Sequence, residues 1–368
     1  MFPVDISQNA KGRLLPPDVP FRFFATAILF HILAWLVLIW PAQAQTGLSW
    51  PVLAALHLIT LGVLAMVAAG ASFQLLPVAT KRSVRSPDLC RAVYWMLAGG
   101  TLFFTVSLIA GFPIGVAVGG VMAALALVTV AVLLADNLLG VDDMPVVTGH
   151  AWIAALSLVA VEALGGMLAL NLVFGFLGDR SPLLLAHGIL AIFGFMGMLV
   201  QGFSTILLPM FSLSLAPSEK LGRIALTLNG SGLLLAVAGA LVEEPLALSL
   251  GGVLGLCGMG LLAWTLVAAF KKRMRKRTGF FFLPIWTGMA LGPLAILFGL
   301  AALFDLFPNA GALFIWLTVA GWLLTFLLGV LQRIMPFLAS MHSATALGRT
   351  PLLSQLMAET LTKIHFVL

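Results

Sequence analysis

The sequence predicts an all-α, polytopic helical membrane protein of about ten transmembrane helices, and three observations predict it. Sixty-one per cent of the 368 residues are hydrophobic, 9% are charged, and the mean hydropathy is +1.14. A bilayer-spanning helix needs roughly 20 apolar residues, and the chain supplies about ten such runs. Finally, the spacing G-x7-G-x6-P occurs three times inside apolar stretches, at Gly62/Gly70/Pro77, Gly194/Gly202/Pro209 and Gly321/Gly329/Pro336. Repetition at intervals of about a third of the chain marks one supersecondary unit used three times.

The spans read as about 21–40, 51–79, 90–111, 114–135, 149–177, 182–211, 222–242, 246–270, 279–304 and 311–335. Breaks fall where proline, glycine and charge cluster, as at Lys81-Arg82-Ser83-Val84-Arg85-Ser86-Pro87 and from Lys271 to Arg277. The first span is too long for a signal peptide and lacks a small-residue cleavage site. With the N-terminus in the cytoplasm, 18 of the 19 Lys and Arg residues fall on cytoplasmic segments, and only Arg180 falls outside. The positive-inside rule thus gives N-in topology, in a bacterial-type inner (cytoplasmic) membrane. The Asp142-Asp143 loop, an inner loop without basic residues, is the one weak join. The net charge of +6 is then topology and lipid contact, with no case for nucleic acid. Cys90 and Cys257 stand alone, without C-x-x-C spacing, so neither a disulfide framework nor a thiolate metal site is implied.

The repeat makes spans 2, 6 and 10 equivalents, each the second helix of a four-helix unit. The units are about 21–135, 149–270 and 279–368 within a single membrane domain, and they predict a pseudo-threefold arrangement lined by these helices. Small residues at fixed places allow close helix approach, and a proline near a helix end marks where the span leaves the bilayer. Only 32 residues follow Pro336. The expectation is a twelve-helix plan in which two C-terminal helices are lost or not included.

Polar groups inside spans carry the functional expectations, because each is costly there. They are His31, His57, His150, Glu162 and His187, with the amides Gln74, Asn171, Gln201, Asn229 and Gln332. His57 and His187 both lie early in repeat helices that start at the outer face, so they share a depth. Two imidazoles across a bundle suit a haem iron, or copper in part. His57 is 20 residues before its proline and His187 is 22 before its own. Two residues turn an α-helix by roughly 200°, which predicts that the pair is not equivalent. His31, mid-span, is the next ligand candidate. His150 opens span 5, while His342 and His365 lie beyond Pro336. Glu162 is a candidate proton relay, and Gln74 and Gln332 are read as braces between helices. The Lys271–Arg277 run reads as a topology signal with anionic lipid beside it. No Ser/His/Asp grouping, Walker loop or H-E-x-x-H helix is present.

His57-Leu-Ile-Thr-Leu-Gly62, continuing to Gly70-Ala-Ser-Phe-Gln-Leu-Leu-Pro77, resembles helix 2 of the haem–copper oxidase subunit I superfamily, in its cbb3-type and nitric-oxide-reductase-like branch. His187 to Met210 resembles a variant of the same helix. The resemblance implies twelve helices in three four-helix arcs, a low-spin haem held by histidines of helices 2 and 10, and a haem–copper centre using helices 6, 7 and 10. His57 matches the helix-2 haem ligand, and His187 is on the right helix for the metal centre. Spans 7 and 10 carry no histidine, and the tyrosine that partners copper has no match, so a complete binuclear centre cannot be built. What the resemblance implies is a cytochrome oxidase subunit I-like protein with one haem b, or one metal such as copper, at His57 with His187 or His31. Its role would be electron transfer, sensing or respiratory support beside other respiratory subunits or a redox partner. The rivals are a membrane transporter or channel for a small solute or metal ion, and a purely structural subunit.

Overall fold

The computed structural model describes residues 15–39, 49–347, 351, 353–356, 360 and 364. Among them, ten helices are long and apolar enough to cross a membrane. In chain order they are α1 (Asp18–Ile39), α2 (Trp50–Thr80), α3 (Pro87–Ile109), α4 (Pro113–Leu138), α5 (Pro145–Phe174), α6 (Ser181–Ser212), α7 (Glu219–Leu241), α8 (Pro245–Lys271), α9 (Phe282–Leu303) and α10 (Ala310–Ser343). Their outward faces carry large apolar side chains such as Trp95, Phe174, Leu234 and Trp264, each about two-thirds exposed or more. That much apolar surface is tolerable only against lipid, so this is an integral membrane protein. The first fourteen residues and His365 lie outside the described residues.

Proline sets most of the helix starts. Pro51, Pro87, Pro113, Pro145 and Pro182 occupy the first positions of α2 to α6, where the missing N–H has no partner to lose. The three repeat prolines, by contrast, lie inside their helices. α2 runs three residues past Pro77, α6 three past Pro209, and α10 at least seven past Pro336. Pro77 and Pro209 lie close to the ends of their helices, as expected from sequence, whereas α10 continues past Pro336 instead of ending before it.

The three repeat helices share a second feature that residue types alone do not announce. Each contains a stretch of π-helix around its first repeat glycine, at Thr60–Ala65, Leu190–Met196 and Leu317–Leu324. At the exit of each, the N–H of Met66, Gly197 or Thr325 bonds a carbonyl five residues back, on Leu61, Ile192 or Ala320. Widened turns of this kind are rare, and they concentrate at functional sites.

Each repeat helix also turns that glycine toward the helix before it. A Cβ on Gly62 would stand 2.6 Å from the Phe30 ring of α1. One on Gly194 would stand 2.6 Å from Ser157 Oγ of α5, and one on Gly321 would stand 3.1 Å from Leu291 of α9. The absent side chain is what lets each pair of helices close up.

The chain divides into two compact units. Among the described residues, one holds the chain up to Leu199 together with Leu233–Leu248, and the other holds Val200–Gly232 and the chain from Ser249. In the first unit α3 and α4 make the closest crossing. A Cβ on Gly100 would lie 2.7 Å from the main-chain nitrogen of Ala123, and one on Gly119 would meet the main-chain nitrogen of Phe104 closer still. At one end of this unit the turn after α2 docks on the turn after α4. Lys81 Nζ reaches Asp143 at 2.8 Å, Arg85 reaches Asp136 at 3.2 Å, and Thr80 donates to Asn137 at 2.7 Å. The acidic Asp142-Asp143 loop therefore sits beside the basic one, as alternation of spans requires. The Lys81 ammonium holds the Asp143 carboxyl below the usual carboxylate range.

Gln74 is fully buried, but it braces the segment before α1, accepting from Leu15 N at 3.2 Å and donating to Leu15 O at 3.3 Å. Tyr94 spans from α3 to Thr26 of α1 at 2.8 Å. In the second unit Asn229 of α7 donates to Gln201 of α6 at 2.6 Å, an interhelical amide pair in a dry interior. Asn171 accepts from Leu177 N at 2.6 Å and closes the α5 terminus instead of facing a substrate. Cys90 is buried and Cys257 exposed, and both are free thiols.

Candidate functional site

His57 lies seven residues into α2 and His187 six residues into α6, about 9–10 Å along each axis from the helix start. Both starts lie at the same end of the first unit, so the two imidazoles share a depth. Each histidine sits three residues before the π-helical stretch of its own helix. The N–H that opens each stretch, on Thr60 or Leu190, bonds the histidine carbonyl and the carbonyl one residue earlier. The two-residue offset from the prolines stands, because the intervening π turns, of six and seven residues, differ by only one. Counted from the π turn, His57 and His187 coincide. The same place in α10 is Phe314, whose carbonyl accepts the Leu317 N–H in the same way.

The hydrogen bonds fix the chemistry of both rings. His57 Nδ1 lies 2.8 Å from the Leu53 carbonyl one turn back, and His187 Nδ1 lies 3.1 Å from the Val161 carbonyl of α5. A carbonyl can only accept, so Nδ1 carries the proton in each ring and Nε2 presents its lone pair. Neither Nε2 has a partner among the described residues. Metal-bound histidines are held in this way, with the far nitrogen donating to a backbone carbonyl. The two imidazoles lie within electrostatic reach of one another.

Their surroundings hold them in place. Phe104 of α3 meets His57 edge-on, with ring centroids 5.0 Å apart and planes at 61°. On the other side, a Cβ on Gly165 of α5 would lie 3.0 Å from His187 Cε1 and 3.4 Å from Nδ1, so a side chain there would push the ring by a few tenths of an ångström. Ala54, Phe104, Leu108, Val116 and Ala169 form an apolar cluster beneath, with Leu53, Leu61 and Leu172 packed on it. Among the described residues no three His, Cys, Asp or Glu side chains group closely enough to hold a metal ion. Two protein nitrogens suit a haem iron, which brings four ligands of its own.

The other polar residues stand apart from this pair. Trp35 Nε1 donates to His31 Nε2 at 3.0 Å, so the lone pair a metal would need is already engaged within α1. Glu162 neighbours Val161 in sequence, but its Oε1 is buried without a hydrogen-bond donor and is not joined to either imidazole. His150 is fully buried near the start of α5, with Nδ1 on the Val146 carbonyl at 2.7 Å and no partner for Nε2 among the described residues. Sequence reasoning missed Phe104, Gly165 and the Val161 carbonyl; the Gly165-Gly166 pair beside Glu162 was the only signal for them.

No protein-family model matches the chain, and no curated protein matches it.

Proposed function

We propose that this membrane protein holds one haem, or a single metal ion, between His57 and His187 and serves electron transfer, sensing or respiratory support. The observation that carries the reading is the shared tautomer: both Nδ1 protons are committed to main-chain carbonyls, leaving two Nε2 lone pairs at one depth. A bound haem would supply one-electron chemistry. The chain's own part is to fix both rings through Leu53, Val161 and Gly165, and to keep water from them with Phe104 and the apolar cluster. The π turns around the first repeat glycine of α2, α6 and α10 support descent of these helices from one repeated unit, as in the oxidase subunit I plan. The distribution of Lys and Arg supports a cytoplasmic N-terminus in a bacterial-type inner membrane, where other respiratory subunits or a redox partner would be met.

Absorption spectroscopy of the purified protein tests this. The reading predicts a Soret band with sharpened visible bands on reduction. A colourless protein free of iron and copper would overturn it. A second reading, transport of a small solute or metal ion, is favoured by the unpartnered Glu162 carboxyl at mid-span. It predicts flux into proteoliposomes that Glu162→Gln abolishes, with no absorbing cofactor.

A further inference from the structure

One basic residue of the first unit stands outside the charge pattern of the chain. Arg180 lies in the turn between α5 and α6, at the end where α2 and α6 begin. By alternation of the spans, every other Lys and Arg among the described residues falls toward the opposite side. A basic residue there works against the charge bias that orients a membrane protein, so it calls for a separate reason.

Arg180 is exposed, and it forms no ion pair among the described residues. Its neighbour Asp179 is engaged elsewhere, with Oδ1 accepting from Ser181 N at 2.8 Å. The Arg180 backbone is already helical, at φ −97° and ψ −8°, and its carbonyl accepts from Leu184 N at 2.9 Å. α6 therefore keeps an α-helical register from Arg180 through His187, and its π stretch opens only at Leu190. Seven residues are two turns, so Arg180 and His187 share one face of α6, about 10 Å apart along its axis.

That face is the one turned to α5. His187 Nδ1 meets Val161 O at 3.1 Å, and the ring rests against Gly165. Between this contact and the end of α5 lie Ala169 and Leu172, which pack into the apolar cluster with Ala54 and Phe104. An apolar wall thus runs from the imidazole toward the helix ends, and a single free guanidinium stands beyond its rim.

We propose that Arg180 pairs with a propionate carboxylate of the haem, an inference that rests on the haem form of the function proposed above. Haem b carries both carboxylates on one edge, and a carboxylate is costly inside the bilayer. That edge must turn to the nearer surface, which for His187 is the end of α6 where Arg180 stands. A guanidinium presents paired N–H donors that match a carboxylate, and it stays charged at any working pH.

The test uses the full-length protein in nanodiscs, produced without haem and titrated with haem b or with haem b dimethyl ester, whose carboxylates are blocked. The Soret band reads binding. The wild type is expected to bind haem b about tenfold more tightly than the ester. Arg180→Gln should remove that preference, and Arg180→Lys should restore part of it. The exposed Arg277→Gln, on the opposite side, should leave it intact. No preference in the wild type, a preference that Arg180→Gln keeps, or equal loss in Arg277→Gln would overturn the pairing while leaving the histidine site standing. A wild type that binds neither form would overturn the histidine site, and the pairing with it.

Discussion

Replacing His57 or His187 with alanine is expected to abolish the Soret band of the purified protein. Each substitution removes one of only two protein lone pairs aimed at a common depth, and no third His, Cys, Asp or Glu among the described residues stands ready to take its place. Loss of one nitrogen would leave a haem held by a single protein ligand, from which detergent should strip it. The fold should survive, because Nδ1 of each ring makes only one hydrogen bond. Such a bond contributes roughly 0.5–1.5 kcal/mol, too little to unfold ten packed spans. His31→Ala is the control, since Trp35 already engages its Nε2. Cofactor content by absorbance and iron analysis, beside an unchanged size-exclusion profile, reads the outcome. A band retained in both His57→Ala and His187→Ala would remove this pair as ligands.

The largest stability effect is expected from Gly119→Val. The new Cβ would meet the main-chain nitrogen and Cα of Phe104, which cannot rotate away as a side chain could. Overpacking typically costs 1–3 kcal/mol, and a clash with main chain belongs at or above about 3 kcal/mol. Valine gains a few tenths of a kcal/mol over glycine in helix propensity, so the clash wins. The helices must separate, and Phe104, which rests edge-on against His57, moves with α3. Unfolding in mixed detergent should shift to lower denaturant, and cofactor retention should fall in parallel. Gly111→Ala, at a turn position with nothing within 4 Å but a φ of +62°, separates backbone strain from crowding and should cost less.

Much of the architecture was legible because bilayer length and hydropathy dictate it. Nine of the ten spans begin and end within four residues of the expected places, α10 runs eight residues past its expected end, and prolines at helix starts are a strong local signal. The glycine–proline repeat was equally visible, since deleting a side chain is the only way two helices can approach so closely. The π turns were not. A widened turn leaves no residue-type signature, and counting from the prolines did not reveal that both histidines sit three residues before one. The tautomers of His57 and His187 depend on carbonyls of Leu53 and Val161, one of them on another helix, and backbone acceptors are invisible in a sequence. The docking of the Lys271–Arg277 run was hidden differently: it reads as a topology signal with lipid beside it until Met274 and Arg275 are seen to donate to the carbonyls of Leu213 and Ser212.

Electron paramagnetic resonance of the oxidised protein at low temperature tests the His57–His187 ligation most directly. Two neutral imidazoles on one ferric haem give a low-spin signal, and that signal is what the geometry predicts, lost in either histidine variant. A high-spin ferric signal in the wild type, or a low-spin signal indifferent to both substitutions, would contradict the account.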